Sequence, residues 1–80
     1  MTELKNNTTA DGIGYLYRTA LYLAKGNVDQ AVDFLKTAED KLDQILPIPQ
    51  EKELLKEQNT YWAEKALDEY KEKMRELMAS

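Results

Sequence analysis

The sequence predicts an all-α protein, folded as an antiparallel three-helix bundle. Three segments carry apolar residues at the three- and four-residue spacing of an amphipathic helix. A Gly-Asn pair separates the first two segments, and two prolines separate the second from the third. No segment alternates apolar and polar residues over the length of a strand. Short connections favour antiparallel neighbours, so we expect helices at about 11–25, 28–46 and 50–78.

The first helix is expected to begin at Asp11, whose carboxylate suits the capping of free backbone amides. Lys25 and Gly26 should end it, because a cation favours the last turn and glycine readily takes positive φ there. Residues 1–10 are polar and without periodicity, so we predict a disordered tail there and a domain over 11–80. The apolar arc of this helix comprises Ile13, Leu16, Tyr17, Ala20, Leu21, Leu23 and Ala24.

The second helix has a regular apolar stripe opposite a charged face. Prolines end it, because Ile48 precedes Pro49 and is pushed away from helical dihedral angles. The acidic side chains on its outer face are spread along a straight helix, too far apart to surround a cation, so we expect no metal site. The stripe comprises Val28, Ala31, Val32, Phe34, Leu35, Ala38, Leu42, Ile45 and Leu46.

The third segment is nearly continuous in helix-favouring residues. Asn59 falls in the middle of its apolar face, where a polar side chain is costly unless it is hydrogen-bonded. Residues 58–60 therefore mark either a kink within one helix, which we favour, or a break between two. The apolar face comprises Leu55, Trp62, Ala63, Ala66, Leu67, Tyr70, Met74, Leu77 and Met78.

The stretch GNVDQAVDFLKTA resembles the second half of a tetratricopeptide repeat. In that family a glycine ends one helix and a small residue follows five positions later, as Gly26 and Ala31 do here. Tyr15 and Tyr22 fall where the repeat places aromatic residues, whereas Thr19 stands where the family prefers glycine. The resemblance implies a closely packed helical hairpin.

A single hairpin closed by a third helix resembles the microtubule-interacting and trafficking (MIT) domain, in outline over residues 13–78. The family pattern in the third helix, roughly Y-x-x-R-A-x-x-L, is approximated by Tyr70, Lys73, Met74 and Leu77. Lysine replaces the usual arginine in this match, and methionine replaces the usual alanine. The resemblance implies a three-helix bundle that accepts an amphipathic or extended peptide in a groove involving the third helix.

The composition argues against several classes of function. The 80 residues include no Cys or His, and 15 acidic residues against 11 basic ones give a net charge of −4. That balance opposes nucleic-acid binding, which depends on Lys and Arg. Without His, Cys, a phosphate-binding loop or a metal motif, we expect neither enzymatic activity nor a cofactor. With no signal peptide and no long apolar run, we expect no membrane span and a cytoplasmic location.

The candidate contact residues are large side chains outside the main apolar arcs. Tyr15 and Tyr22 lie seven residues apart on either side of Arg18, and exposed aromatics beside an arginine are typical of binding hot spots. Leu54 and Tyr61 form a second pair with the same spacing. Alternatively, both pairs belong to the core, through a wider contact between the first and third helices and a kink in the third.

Two hypotheses of function differ in what covers these side chains. The first is a non-enzymatic module that binds a partner helix or peptide in an interhelical groove, through Tyr15, Arg18, Tyr22, Leu54 and Tyr61. The second is a small structural homodimer, in which the same surface contacts another copy and no separate ligand binds. A domain of this size without disulfides or metals depends on dense helix packing or self-association for stability.

Overall fold

The computed structural model describes the backbone of residues 2–79 and the side chains of residues 8–79. Residues 2–79 form four helices and no strand, namely α1 (Thr2–Ala24), α2 (Val28–Leu42), α3 (Lys52–Glu57) and α4 (Asn59–Ala79). The predicted all-α class is therefore confirmed. The expected number of helices is wrong for this part of the chain, because Gln58 divides the third segment into two.

α1 begins at Thr2, nine residues before the expected cap at Asp11, which therefore lies inside the helix. Residues 8–10 contain no proline or glycine that would stop a helix, and they are helical although we expected them in a tail. The rest of the predicted tail, residues 1–7, lies outside the residues whose side chains the structure describes.

The Gly-Asn pair closes α1 and opens α2, as predicted. Gly26 has a φ of +81°, and the backbone N–H groups of Gly26 and Asn27 donate to the carbonyls of Leu23 (3.0 Å) and Tyr22 (2.9 Å). This Schellman arrangement satisfies carbonyls that the helix end would leave unpaired. The side chain of Asn27 accepts a hydrogen bond from the backbone of Gln30 at 3.5 Å, which makes Asn27 the N-cap of α2.

α2 ends at Leu42, four residues before the predicted boundary at Leu46. Asp43 takes left-handed dihedral angles (φ 55°, ψ 43°) directly after the helix. This left-handed cap is the physical reason for the early end, because the backbone N–H groups of Asp43 and Gln44 donate to the carbonyls of Asp40 (3.3 Å) and Glu39 (3.2 Å) and so close the last turn. The stripe assigned to α2 was therefore too long, and Ile45 is exposed.

Residues 43–51, which we call the strap, return from the end of α2 to its beginning. Near the start of α2, Lys52 pairs with Asp29 at 3.1 Å, an exposed ion pair that contributes little stability. Glu39 holds the middle of the strap, because its carboxylate accepts a hydrogen bond from the Leu46 backbone at 2.9 Å. Leu46 and Ile48 are buried, so this non-helical segment supplies part of the core.

α1 packs against both α2 and α4, whereas α2 and α4 approach each other little. Gly12 of α1 faces Leu42 of α2, and Asn59 at the start of α4 contacts Leu23 at the end of α1. Both neighbours therefore run antiparallel to α1. α3 contacts α2 and α4. The buried core comprises Ile13, Leu16, Ala20, Leu23, Val28, Ala31, Val32, Leu35, Ala38, Leu46, Ile48, Leu55, Ala63 and Ala66.

Asn59 has the hydrogen bond that its position required. Its Nδ2 donates to the Leu23 carbonyl at 2.9 Å, and the same carbonyl accepts from Gly26. The chain breaks at Gln58, whose φ of −135° is not helical, so the break rather than the favoured continuous helix is observed. This change of direction allows Leu55 of α3 to be buried while Asn59 ties the start of α4 to α1.

Replacing Asn59 tests the tie between α4 and α1. We expect Asn59→Ala to lower the free energy of unfolding by about 0.5–1.5 kcal/mol, because the hydrogen bond between α4 and α1 is lost while the Leu23 carbonyl keeps its bond from Gly26. Urea denaturation followed by circular dichroism measures the change. Gln30→Ala, which removes an exposed amide on α2, should change stability by less than about 0.5 kcal/mol. Equal losses for the two variants would contradict a specific role for Asn59.

The two glycines inside α1 differ in the space around them. A Cβ at Gly14 would meet nothing within 4 Å, whereas one at Gly12 would lie 2.8 Å from Cγ of Leu42. Alanine is better than glycine in a helix by about 1 kcal/mol. We therefore expect Gly14→Ala to raise the free energy of unfolding by up to about 1 kcal/mol. Gly12→Ala should lose that gain, because Leu42 must move. The same denaturation measurement compares the variants, and equal gains would argue against a close approach of α1 and α2 there.

Candidate protein interaction site

Tyr15 and Tyr22 are half-buried, so the expectation that they are exposed is wrong. Both rings pack against Phe34 of α2, with the Tyr22 ring stacked at a centroid distance of 5.1 Å and the Tyr15 ring tilted at 5.9 Å. The wider helix contact that buries these two rings is therefore between α1 and α2, and not between α1 and the third helical segment. These three rings, which we call the aromatic cluster, seal the edge of the interface between α1 and α2.

Cations lie over the tyrosine rings of the aromatic cluster. The Arg18 guanidinium carbon is 4.9 Å from the Tyr15 ring centre, and the Lys41 ammonium lies 5.9 Å from the same ring. The Lys25 ammonium is 5.2 Å from the Tyr22 ring centre. Each such contact at an exposed position contributes about 0.5–1 kcal/mol. The contact of Arg18 with Tyr15 therefore supports the fold, whatever else Arg18 binds.

Leu54 and Tyr61 are exposed, with 44% and 51% of their surface accessible. The Tyr61 ring contacts the Trp62 ring edge-on at a centroid distance of 4.9 Å, so part of the Tyr61 side chain already packs within the protein. The break at Gln58 places Leu54 on α3 and Tyr61 on α4, so their seven-residue spacing no longer puts them on one helical face. Their role as contact residues stays a prediction.

A groove of about 250 Å³ lies between α1 and α4. Its walls are apolar apart from Thr60 and Glu64. Two of its large residues remain well exposed, Tyr17 at 44% and Leu21 at 41%. The lining residues are Tyr17, Ala20, Leu21 and Ala24 of α1 with Thr60, Ala63, Glu64 and Leu67 of α4.

Small side chains open the groove, and contacts at two positions fix its walls. Ala20, Ala24 and Ala63 carry only a methyl group, so the surface between the helices stays low where they face each other. The Tyr17 and Tyr70 rings meet at a centroid distance of 5.1 Å across the helices. Near the other end, the bond from Asn59 to α1 joins the same two helices. The groove is therefore part of the folded chain before anything binds.

Sequence reasoning placed the α1 side of this groove in the core. Tyr17, Leu21 and Ala24 belong to the predicted apolar arc of the first helix, yet all three are exposed. The helical period shows that they share a broad side of α1, but it cannot show that α4 leaves part of that side open. A usable signal was the presence of small residues on both facing arcs, at Ala20 and Ala63.

Among the side chains of residues 8–79, no group of three or more Asp, Glu, His or Cys is arranged to hold a metal ion. No helix in the part of the chain that the structure describes has the length and apolar character needed to cross a bilayer. Comparisons of the chain with protein-family models, curated proteins and solved structures found no match.

The structural role of Tyr22 and the exposure of Tyr61 give a paired prediction. We expect Tyr22→Ala to lower the free energy of unfolding by about 2 kcal/mol, because the stack on Phe34 and half-buried apolar area are lost. Tyr61→Ala should cost less than about 1 kcal/mol, because half of that side chain is already in water. Thermal and urea unfolding measure the stability of both variants. A larger loss for Tyr61→Ala than for Tyr22→Ala would contradict the structural role given to Tyr22.

Proposed function

We propose that this chain is a non-enzymatic protein interaction module that binds a helix or peptide in the groove between α1 and α4. The observation that carries the proposal is an open apolar groove with exposed Tyr17 and Leu21 along it. Exposed apolar side chains along a groove are surface that a bound partner would cover. The volume of about 250 Å³ lies below the ~300–1,000 Å³ of small-molecule sites, which favours one or two anchoring side chains.

The proposed mode of binding is a helix laid into a groove. Apolar side chains spaced three and four residues apart on the partner would rest over Ala20, Ala24 and Ala63. The larger side chains of Tyr17 and Leu21 would then pack against the flanks of that helix. Because the groove already exists in the folded chain, binding would require little reorganisation of the backbone.

The finer description of the fold forms part of this proposal. We take α1, α2 and the broken α3–α4 pair as the three arms of an antiparallel bundle, since both α2 and α4 run antiparallel to α1. The turn at Gly26 and the groove beside the third arm support this description. The tetratricopeptide and MIT resemblances, the absence of nucleic-acid binding and a cytoplasmic location stay predictions.

The homodimer is the second candidate function. Tyr17 and Leu21 stay exposed along the groove, and in a homodimer the second copy would cover them in place of a separate partner.

Peptide selection tests the groove as a binding site. We expect helical peptides selected from a random library to bind the wild-type chain through apolar residues spaced three and four apart. Ala24→Trp fills the groove from an exposed position, so it should weaken binding at least about tenfold. Fluorescence anisotropy with labelled peptide measures the affinity.

Ala79→Trp is the matched control, because it adds the same side chain at an exposed position at the end of α4, outside the groove lining. It should bind the selected peptides as the wild type does. Equal binding by the Ala24→Trp variant, or a library that yields no helical binder, would contradict the proposed function.

A further inference from the structure

We infer that the groove between α1 and α4 takes an amphipathic helix antiparallel to α4, with acidic residues in its N-terminal half and basic residues in its C-terminal half. This inference rests on the proposed function, because it uses the same groove and states the chemistry of the partner. It is carried by the order of the exposed charges along the α4 wall of the groove.

Four exposed charged side chains of α4 share one direction, and we call them the charge row. The first of them, Glu64, lines the groove. The other three follow it by four, seven and eleven residues, which at about 100° per residue places them within about 40° of its direction. In chain order, the charge row consists of Glu64, Asp68, Lys71 and Arg75. Its first half is therefore acidic and its second half is basic.

The other charges of α1 and α4 do not change this order. The remaining charged side chains of α4 point about 80° or more away from Glu64. The α1 residues that line the groove are uncharged, and Arg18 and Lys25 lie over tyrosine rings towards α2. Within the described residues, the charge row forms no ion pair, whereas Lys73 of α4 pairs with Glu76 at 3.9 Å. The charge row is therefore available to a partner.

A helix that occupies the groove also reaches the basic half of the charge row. The α4 residues that line the groove extend from Thr60 to Leu67, about 10 Å of helix rise. Helices shorter than ~12 residues are marginal, so a partner helix continues past one end of the groove. At the Thr60 end α4 itself begins, whereas beyond Leu67 it continues to Ala79. The paired rings of Tyr17 and Tyr70 offer further apolar surface on that side.

Charge complementarity sets the direction of the partner helix. Like charges across an interface oppose association, so basic side chains of the partner belong at the acidic half of the charge row and acidic ones at its basic half. A helix is itself stabilised by acidic residues near its N-terminus and basic residues near its C-terminus. A partner with that order matches the charge row only when it runs antiparallel to α4. The opposite order, in a helix parallel to α4, would oppose the partner's own dipole.

The charge row and the apolar lining act on different parts of the same partner helix. Apolar side chains of the partner rest over Ala20, Ala24 and Ala63, while its charged side chains occupy the edge that faces α4. Exposed charges at a rim fix orientation and speed association more than they add affinity. The charge row therefore selects among helices that the apolar groove alone would accept.

Two designed helical peptides test the order of charge. Both have the same composition and the same apolar stripe, and along the edge that faces α4 one is acidic first and the other basic first. Fluorescence anisotropy should show the acid-first peptide binding the wild-type chain at least about tenfold more tightly. Reversing the other peptide in the groove does not restore the match, because its charged edge would then face α1. The preference should shrink in roughly 1 M salt, because exposed charges are screened.

Exchanging the two halves of the charge row tests the protein side of the contact. A variant that replaces the two acidic residues of the row with Lys and the two basic residues with Glu keeps the net charge. It should prefer the base-first peptide. The matched control exchanges two exposed charges of α2 outside the groove lining, Lys36→Glu with Asp40→Lys, and should keep the wild-type preference. Circular dichroism checks that each variant is folded.

Three outcomes would overturn the inference. They are equal binding of the two peptides, a preference that survives exchange of the charge row, and a wild-type dimer in light scattering that excludes both peptides. The last outcome would name a second copy as the occupant. Equal binding that Ala24→Trp weakens would overturn the order of charge alone and leave the proposed function standing. Failure of both designed peptides and of the peptide library would overturn the proposed function itself.

Discussion

α1 must pack against two neighbours at once, and the rest of the structure follows from this constraint. Leu16 and Leu23 have no exposed surface, because different sides of α1 are covered by α2 and α4. Thr19 is buried in the same helix, and its hydroxyl donates to the Tyr15 carbonyl at 2.9 Å. Since α2 and α4 hardly meet, the strap and α3 complete the core. Glu39 holds the strap through the backbone of Leu46 and the side chain of Gln50.

The side of α1 that faces α2 and the side that faces α4 are covered in different ways, and only the α4 side leaves a groove for a partner. Towards α2, the aromatic cluster and its cations cover the edge of the interface. Towards α4, alanines on both helices leave a groove that large side chains flank without filling. Apolar surface that the chain cannot cover by itself therefore lies on the α4 side. The proposed partner would complete that side from outside.

The sequence predicted the features that depend only on residues close together in the chain. The turn at Gly26 follows from glycine's positive φ, and the all-α class follows from the helical period. Periodicity cannot say which neighbour covers which side of a helix. Tyr15 and Tyr17 point in directions about 200° apart on α1. The predicted arc placed Tyr17 in the core and Tyr15 outside it, whereas Tyr17 is exposed and Tyr15 is half-buried. The strap was missed because Leu46, one of its buried residues, fits the apolar stripe of α2 although that helix ends at Leu42.

Hydrogen exchange of individual backbone amides, followed by NMR, tests the central position of α1 most directly. Amides protected by packing on two sides open only with global unfolding, whereas those packed on one side can open locally. The account predicts that the slowest amides in the chain lie in α1 between Leu16 and Leu23, with those in the second half of α4 exchanging faster. Slower exchange throughout α2 or α4 than in this part of α1 would contradict it.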